Sequence, residues 1–440
     1  MILALFLSIF LGELILLWIN KQLALCLLLV SISFVPSLLR CKIGVPFSLT
    51  DLTLLAIGIC SIKEIIKNKI YPQIYRFFII YWLYILLTSL ISSFTYDSGE
   101  YVKSMVYFTM TSILVGILLS NFKITDKGLK LFGRIFLLTY LVIGFYGIFN
   151  YLVGFNPYII LVNMLAGADD MTEAFQNEAR GFIQGRISST FIHPLELGQY
   201  TVITFSYLLF SRLKINKIVK TLILLLMIIM ILLCGSRSAM IPLFFVLALY
   251  IYSNLKKKIV YILPAILIVF IAFSLMGKDN KSTIQGFLFF WNEDYAANAG
   301  IKGSQNSERF AKFDNALYMV RDNILFGRGQ GFIRYHGHDY PEMAGYESLV
   351  LQTIVDGGVF GLIVYLLFYI SLYRFMIKRA EDTLSKIRCH SFCLAYLMNI
   401  FFTGMQGVIF IVFILFYFVT LAEMKLLSPI RKRNNFIGVK

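Results

Sequence analysis

The sequence predicts an all-α polytopic membrane protein, a bundle of about 12–14 transmembrane helices with two large extracytoplasmic loops that contain short helices. Of the 440 residues, 59% are hydrophobic and only 15% are charged, too few charges for the surface of a soluble domain of this size. The apolar residues form blocks, most of which approach the roughly 20 residues that a helix needs to cross about 30 Å of hydrocarbon. The alternation typical of a β-barrel is absent, which leaves helices as the spanning elements.

The apolar blocks start at the N-terminus. The first block lacks a basic region and a small-residue cleavage site, so we expect a transmembrane helix there and not a removed signal peptide. The predicted spans are residues 2–19, 23–39, 48–62, 77–96, 105–121, 133–154, 198–211, 221–235, 238–253, 259–276, 353–373, 389–405 and 407–424. They divide the chain into N-terminal helices (1–155), a first large loop (156–197), central helices with a hairpin at Arg237 (198–276), a second large loop (277–348), C-terminal helices (349–424) and a basic tail (425–440).

Basic clusters in the connections set the orientation. Each lies two crossings after the previous one, so all of them can face the cytoplasm, as the positive-inside rule requires. The clusters are Lys63–Arg76, Lys123–Arg134, Arg212–Lys220, Lys256–Lys258, Arg374–Arg388 and Lys425–Arg433. We therefore expect a bacterial cytoplasmic membrane, a cytoplasmic C-terminus and both large loops outside, with the side of the N-terminus open. The clusters also account for the net charge of +16 without nucleic-acid binding.

Three polar segments lie on the predicted outer side: Gly185–Gly198, Cys234–Ala239 and Asn306–Gly361. Arg237, in the second, is the most informative residue, because an ionised group near the hydrocarbon boundary costs a few kcal/mol without water or a partner. It either snorkels to the outer headgroups or binds an anionic headgroup, since guanidinium pairs bidentately with phosphate. Arg186, Arg309 and Arg328 could converge with it. The positive-inside rule does not call for arginines there, which favours the functional interpretation.

The third segment offers glycines and a carboxylate. Gly327–Gly331 is either an ordinary turn before a helix or a loop that brings backbone close to a phosphate. Glu347, at the mouth of the next membrane helix, is either a helix-start carboxylate or a general base. The rival bases are His193, His336 and His338, although a lone loop histidine is more often simply exposed. Trp291, Tyr295 and Tyr340 either stack on sugar rings or pack the loop against the bundle.

In their order and sidedness these segments resemble the superfamily of O-antigen polymerases (Wzy) and O-antigen ligases (WaaL). The resemblance rests on an arginine before Ser-Thr-Phe-Ile-His-Pro, on Ser-Arg-Ser-Ala at residues 236–239, and on Arg328 followed by Gly329 and Gly331. Asp51 also resembles a family feature of the third helix. Ligases of the family typically carry a histidine at the position where this chain has Glu347, and in this respect the chain is more similar to capsular or O-antigen polymerases.

The resemblance implies transfer of a growing glycan from undecaprenyl diphosphate to the sugar hydroxyl of a lipid-linked repeat unit, without metal, cofactor or nucleotide. It assigns the diphosphate to Arg237, Arg186, Arg309 and Arg328, and the base to Glu347 with His338 as runner-up. Further substrate contacts are expected from Arg180, His193, Gly329, Gly331 and Tyr340. The expected partners are the undecaprenyl-diphosphate-linked oligosaccharide and the bilayer, and the resemblance also allows a polysaccharide chain-length regulator.

Three alternatives stay open. A ligase would move finished glycan to lipid A core or protein. A flippase or other transporter would need charged residues in the middle of several helices, whereas here Asp356 is one possible exception. A non-catalytic scaffold leaves the outer arginines unexplained.

Overall fold

The described residues form helices and two short hairpins. A computed structural model describes residues 2–43, 45–67, 70–92, 98–167, 179–180, 183–236, 238–253, 306–336, 339–340, 348–402 and 407–437. The helices are α1 (Ile2–Ile19), α2 (Ala24–Phe34), α3 (Leu49–Lys67), α4 (Pro72–Ser92), α5 (Ser98–Phe108), α6 (Val115–Asn121), α7 (Asp126–Val153), α8 (Pro157–Ala166), α9 (Pro194–Phe210), α10 (Lys217–Leu233), α11 (Ser238–Ser253), α12 (Asn306–Met319), α13 (Phe332–His336), α14 (Leu349–Arg379), α15 (Thr383–Phe402) and α16 (Val408–Ile437). A π-helical turn, Thr109–Leu114, joins α5 to α6.

The two hairpins are antiparallel and lie in connections. β1 (Arg40–Ile43) pairs with β2 (Val45–Ser48), with Arg40 opposite Ser48. β3 (Ala179–Arg180) pairs with β4 (Ile183–Gln184). The predicted span 23–39 therefore ends early: Val35 N–H makes the last bond back to Ser31, and Pro36, which has no N–H, follows.

The predicted fold class is confirmed. Six helices in the described part of the chain are long and apolar enough to cross a membrane, if α5, the π-helical turn and α6 are taken as one continuous helix. They are Ile2–Ile19, Pro72–Ser92, Gly99–Asn121, Asp126–Val153, Leu349–Arg379 and Val408–Leu426. The predicted first loop contains α8 and the second hairpin, and the second loop contains α12 and α13. The predicted span 259–276 lies outside the described residues.

Two helices form the centre of the bundle. In α9, nearly every residue from Leu197 to Leu208 is buried, and so are those from Ile409 to Glu423 in α16. Aromatic rings fill the space around them; Phe416 packs on Tyr207 with ring centroids 4.8 Å apart, and Phe413 stacks on Tyr396 at 4.0 Å. Such pairs add about 0.5–1.5 kcal/mol each beyond burial.

One end of the bundle collects the basic connections. Lys21 Nζ lies 2.6 Å from Glu64 Oε1, which joins the α1–α2 connection to the end of α3. Gln22 Nε2 donates to the carbonyl of Lys123, before α7. Arg212, after α9, pairs with Asp382, before α15, at 2.6 Å. We call this the basic end. Because the α1–α2 connection lies there, the first residues of α1 lie at the opposite end.

A buried ion pair lies near the basic end, and its arginine is the last residue of the basic cluster Arg374–Arg388. Arg388 of α15 pairs with Glu423 of α16, and both side chains are almost fully buried. Tyr207 Oη–H donates to Glu423 Oε1 at 3.2 Å, so the pair also involves α9. Breaking such a pair leaves an uncompensated buried charge, so it ties three helices together.

Candidate active site

The polar segments singled out in the sequence lie at the opposite end. The first of them threads through the bundle as irregular chain, and we call Arg186–Thr190 the buried segment because all five residues are buried. Non-helical backbone at membrane depth is stable only when its polar groups are paired within the protein. The neighbouring helices supply those partners.

Asn156, the N-cap of α8, holds the middle of the buried segment. Its Nδ2 donates to Ser188 Oγ at 3.1 Å and to the carbonyl of Ser189 at 2.7 Å. Ser189 Oγ–H donates to a carbonyl of α7, and Thr190 Oγ1–H donates to the carbonyl of Ser33 in α2. Ser189 has a φ of 51°, in the left-handed region that residues other than glycine rarely adopt. Such strain persists only where the surrounding contacts determine it.

Arg186 joins the buried segment to the Cys234–Ala239 hairpin. Its Nε–H donates to the carbonyl of Cys234 at 2.9 Å, and the side chain is only 4% exposed. Gly235, with a φ of 59°, lies against the aliphatic part of Arg186. The structure therefore brings the first and second polar segments together, and the convergence of Arg186 with Arg237 on one anion stays a prediction.

Arg237 itself lies outside the described residues. Its neighbours Ser236 and Ser238 are buried with their hydroxyl oxygens 2.9 Å apart. Beneath the hairpin is Gly198 of α9, where a Cβ would lie 2.9 Å from Ala239 Cβ. Only a glycine allows this approach of hairpin and helix.

His193 and Glu196 cap the start of α9. The His193 ring Nδ1 accepts from Leu195 N–H at 3.0 Å. The Glu196 carboxylate accepts from the N–H groups of His193 and Ile192, which completes a capping box. Asp51 has a similar place in α3, where its Oδ2 accepts from Ser48 N–H and Oγ–H at 2.9 and 2.7 Å. The substrate contact expected of His193 stays a prediction.

In the third segment, residues Gly327–Gly331, which we call the glycine loop, pack against a break in α14. At Gly358 the backbone of α14 leaves the helical region, with φ 66° and ψ −165°. Two backbone bonds join the loop to the break, Arg328 N to Val355 O (2.8 Å) and Gly329 N to Asp356 O (2.8 Å). Two more join the break to the residues just before the loop, Val359 N to Ile324 O (2.9 Å) and Phe360 N to Leu325 O (3.2 Å). The polar groups released by the break are thus paired with the loop and with the residues just before it.

The close approach explains two of the glycines. A Cβ on Gly327 would lie 2.5 Å from the backbone nitrogen of Gly358, and a Cβ on Gly358 would lie 2.4 Å from the carbonyl oxygen of Leu325. Real Cβ atoms essentially never come that close to backbone. Gly327 and Gly358 are therefore required for the close contact between the loop and α14. The substrate contacts expected of Gly329 and Gly331 stay predictions.

Serines of α4 and α5 hold the other side of the glycine loop. Ser92 Oγ–H donates to Gly327 O at 3.2 Å, and Ser104 Oγ–H donates to Gln330 O at 2.6 Å. Ser89 Oγ accepts from Gln330 N–H at 3.1 Å. Hydroxyl groups pair the loop backbone without adding charge inside the bundle.

Asp356 anchors the far end of the loop and was the one intramembrane acid noted in the sequence. It is 4% exposed, and its Oδ2 accepts from Gly331 N–H at 2.9 Å. The N–H groups of Phe332 and Ile333, at the start of α13, also bind this carboxylate. A carboxylate at a helix N-terminus is favourable because the unpaired N–H groups there carry partial positive charge.

The remaining predicted residues are only partly placed. Arg328 is 23% exposed; its Nε–H donates to Met319 O at 2.7 Å, and it pairs with Asp322 at 3.1 Å. Tyr340 packs against the ring of Phe332. Arg309 lies in α12 and Arg180 in β3, and nothing is described of either side chain. His338, Glu347, Trp291 and Tyr295 lie outside the described residues.

His336, one of the rival bases, lies between two carboxylates. Its Nε2 is 3.0 Å from Glu100 Oε2 in α5, and its Nδ1 is 3.2 Å from Asp339 Oδ2. Ser348, next to Glu347, begins α14, and its Oγ–H donates to Phe401 O at 2.9 Å. Within the described residues no group of three His, Cys, Asp or Glu side chains could hold a metal ion.

Comparison with known families bears on the second and third polar segments. The family model described as "O-Antigen ligase" matches residues 222–366, about a third of the chain, which include the hairpin, the glycine loop and the break in α14. The match places this third of the chain in the superfamily of O-antigen polymerases and O-antigen ligases. Membership in this superfamily indicates a glycosyltransferase-like enzyme that processes polysaccharide. No curated protein matches the chain at a significant level.

Sequence reasoning missed several residues that build this end of the molecule. Asn156 precedes a proline, the pattern of a helix start, but its bonds to the buried segment depend on chain 32 and 33 residues away. Ser89, Ser92 and Ser104 resemble any small residues in an apolar helix. Only the fold shows that they face the glycine loop.

Proposed function

We propose that this protein is a polysaccharide polymerase of the superfamily. It would transfer a growing glycan from undecaprenyl diphosphate onto the non-reducing end of a lipid-linked repeat unit at the outer face of a bacterial cytoplasmic membrane. The observation that carries the proposal is the meeting of Arg186 with the Arg237 hairpin at the end opposite the basic connections. By the positive-inside rule, the basic end, and with it the C-terminus, faces the cytoplasm.

The chemistry needs fixed positive charge beside a membrane-anchored leaving group. As the bond between the anomeric carbon and the diphosphate oxygen breaks, negative charge develops on the diphosphate. Guanidinium groups fixed in a partly dry site stabilise that charge without reorganising. Arg186 is buried and fixed by Cys234, so it meets this requirement, and Arg237 is on the same hairpin. Arg309 and Arg328 remain the further candidates.

The acceptor hydroxyl must lose its proton as its oxygen forms the new bond to the anomeric carbon. We assign the proton to the Glu347 carboxylate, which precedes the N-terminus of α14, with His338 as the alternative base. Direct displacement from the face opposite the diphosphate inverts the anomeric centre. The products are the protonated base, the released undecaprenyl diphosphate and the elongated lipid-linked glycan. No metal or cofactor takes part.

A ligase and a flippase are the two alternatives to the proposed polymerase. A ligase would use the same arginines and move finished glycan to lipid A core or protein; Glu347 in place of histidine favours the polymerase. A flippase is favoured by the break in α14 and the buried Asp356, because transporters bind substrate at discontinuous helices. Here, however, backbone groups of the break pair with the glycine loop.

Gene deletion in the host distinguishes the polymerase from the ligase. The surface glycan and the lipid-linked pool are run on a gel beside the complemented strain. We expect the ladder to collapse to a single repeat unit attached to its final acceptor. Long chains that persist on the lipid carrier and never reach the acceptor would identify a ligase, and an unchanged ladder would exclude both enzymes.

The role of Arg237 is tested in the complemented strain. Arg237→Ala should abolish chain growth while the protein still inserts in the membrane, because the leaving-group charge loses a fixed guanidinium. Arg321→Ala is the matched control, since Arg321 is exposed and its described contacts are with two near neighbours in the sequence, Asp322 and the ring of Tyr318. Near-normal polymer from a well-expressed Arg237→Ala protein would remove Arg237 from the mechanism.

A further inference from the structure

Another arginine lies at the end opposite the basic connections, in a part of the chain where sequence analysis placed no site residue. Arg40 begins β1, in the connection between α2 and α3. Its Nε–H donates to the carbonyl of Ser37 at 2.9 Å, and its guanidinium lies 5.5 Å from the ring centroid of Tyr107 in α5. Two contacts from different elements thus fix a half-buried cation.

The ring under Arg40 is itself held in place. A Cβ on Gly407, at the start of α16, would lie 3.2 Å from the Tyr107 hydroxyl, so the phenol rests against that backbone. The quadrupole of the ring attracts the guanidinium to its face, which favours this position of the Arg40 side chain. The described contacts of the guanidinium are the Nε–H bond to Ser37 and the Tyr107 ring, and its planar fork is a group that pairs bidentately with phosphate.

Arg40 is connected to both parts of the candidate site. Ser37 lies four residues after Ser33 in the sequence. The carbonyl of Ser33 accepts the hydrogen bond from the Thr190 hydroxyl of the buried segment. On the other side, Tyr107 lies one turn after Ser104, which binds the glycine loop. Arg40 therefore contacts two parts of the chain, the segment after α2 and the helix α5, that lie next to residues bonded to the candidate site.

The charge of Arg40 is not used by an ion pair of the described residues. Across the hairpin, Asp51 uses its Oδ2 on Ser48. Membrane orientation does not require an arginine at this end, because basic residues gather at the other one. A fixed guanidinium here, with four N–H donors beyond the Nε–H, fits a phosphate oxygen pair.

We propose that Arg40 is an anion-binding residue that contacts a phosphate of the lipid diphosphate. The inference rests on the proposed function, since it adds a cation to the same end of the molecule. Ser37 and Tyr107 act as positioning groups that orient the guanidinium toward the headgroup.

Binding is measured on the full-length protein purified in detergent, with farnesyl diphosphate and, separately, inorganic pyrophosphate as probes. Arg40→Gln should raise the Kd for farnesyl diphosphate at least about tenfold, the effect of losing a charge-assisted hydrogen bond. Arg40→Lys should lie between Gln and wild type, because it keeps charge without the planar fork. Tyr107→Leu should weaken binding, whereas Tyr107→Phe keeps the ring and should not.

Arg379 provides the matched control, because it also lies over aromatic rings, those of Phe375 and Tyr71, but at the basic end. Arg379→Gln should leave the Kd within about twofold. A Kd for Arg40→Gln that equals that of Arg379→Gln overturns the inference, as does wild-type protein that binds neither probe. If Arg40→Gln fails to fold, Arg40→Lys and Tyr107→Leu decide the question in the same way.

The two probes and the deletion strain separate the remaining cases. Weaker binding of both probes assigns the contact to the diphosphate itself, and weaker binding of farnesyl diphosphate alone assigns it to the membrane-anchored headgroup. If binding falls in Arg40→Gln but gene deletion leaves the glycan ladder unchanged, the anion site stands and the polymerase proposal fails. If deletion collapses the ladder but binding is unchanged in Arg40→Gln, the polymerase proposal stands and the anion site at Arg40 fails.

Discussion

Two adjacent glycines of α14 give a sharp test of the contact between the broken helix and the glycine loop. Gly358 has a φ of 66°, and a Cβ there would lie 2.4 Å from the carbonyl oxygen of Leu325, which is backbone and cannot rotate away. Gly357 has no such φ, and a Cβ there would meet nothing within 4 Å. Gly358→Ala and Gly357→Ala are therefore the same chemical change in opposite surroundings.

The cost of Gly358→Ala has two parts. A non-glycine residue in a sparsely populated backbone region costs on the order of 1–3 kcal/mol. The chain around Leu325 must also move away, which breaks the bonds from Val359 and Phe360 to the carbonyls of Ile324 and Leu325, at about 1 kcal/mol each. We expect a total of about 3–5 kcal/mol. Gly357→Ala should be neutral or stabilise by up to about 1 kcal/mol, because alanine favours helix.

Both variants are purified in detergent, and their free energies of unfolding are compared by denaturant titration followed by circular dichroism. The glycan ladder of the complemented deletion strain reports activity on the same pair. Equal stability of the two variants would refute the close packing of loop and break. Loss of the ladder in Gly357→Ala with normal stability would show that Gly357 contacts substrate instead.

Two further substitutions test contacts on either side of the bundle by the same titration. Asn156→Ala removes two bonds to the buried segment and should destabilise the protein by about 2–4 kcal/mol, whereas Asn216→Ala, at an exposed N-cap, should cost about 1 kcal/mol; similar losses would contradict the role of Asn156. Arg388→Gln should cost about 3–5 kcal/mol because it leaves Glu423 buried and unpaired, and adding Glu423→Gln should recover part of that loss. A double variant less stable than the single one would show that the charge itself is not the cause.

The helices could be predicted from sequence because each depends on a local property. An apolar run of about 20 residues needs no knowledge of its neighbours, and basic connections indicate a common side. The connections that contain Lys21, Lys123 and Arg212 do lie together at the basic end, as that rule implies. The end of α2 could also have been predicted, since Pro36 follows its C-cap residue Val35.

The contacts that build the candidate site could not be predicted in the same way. The bonds between the glycine loop and α14 are made by backbone groups, which are identical in every residue and leave no pattern in the side chains. The glycines were visible, but a phosphate loop and close packing against a helix both require them. Glu13, in the first apolar run, bonds to Thr53 in α3, a partner 40 residues away. Only the fold reveals such pairs.

The two ends of the bundle are held by different chemistry, and that difference bears on function. At the basic end, ion pairs such as Arg212–Asp382 join the connections. At the other end, neutral groups of Asn156, Ser104 and Thr190 hold most of the irregular backbone. An arriving diphosphate would compete with an ion pair for its cation, but it leaves a hydroxyl-to-carbonyl bond intact. The fold of the candidate site can therefore persist while its arginines exchange partners, which is why Arg237→Ala and Arg40→Gln should lose function before stability.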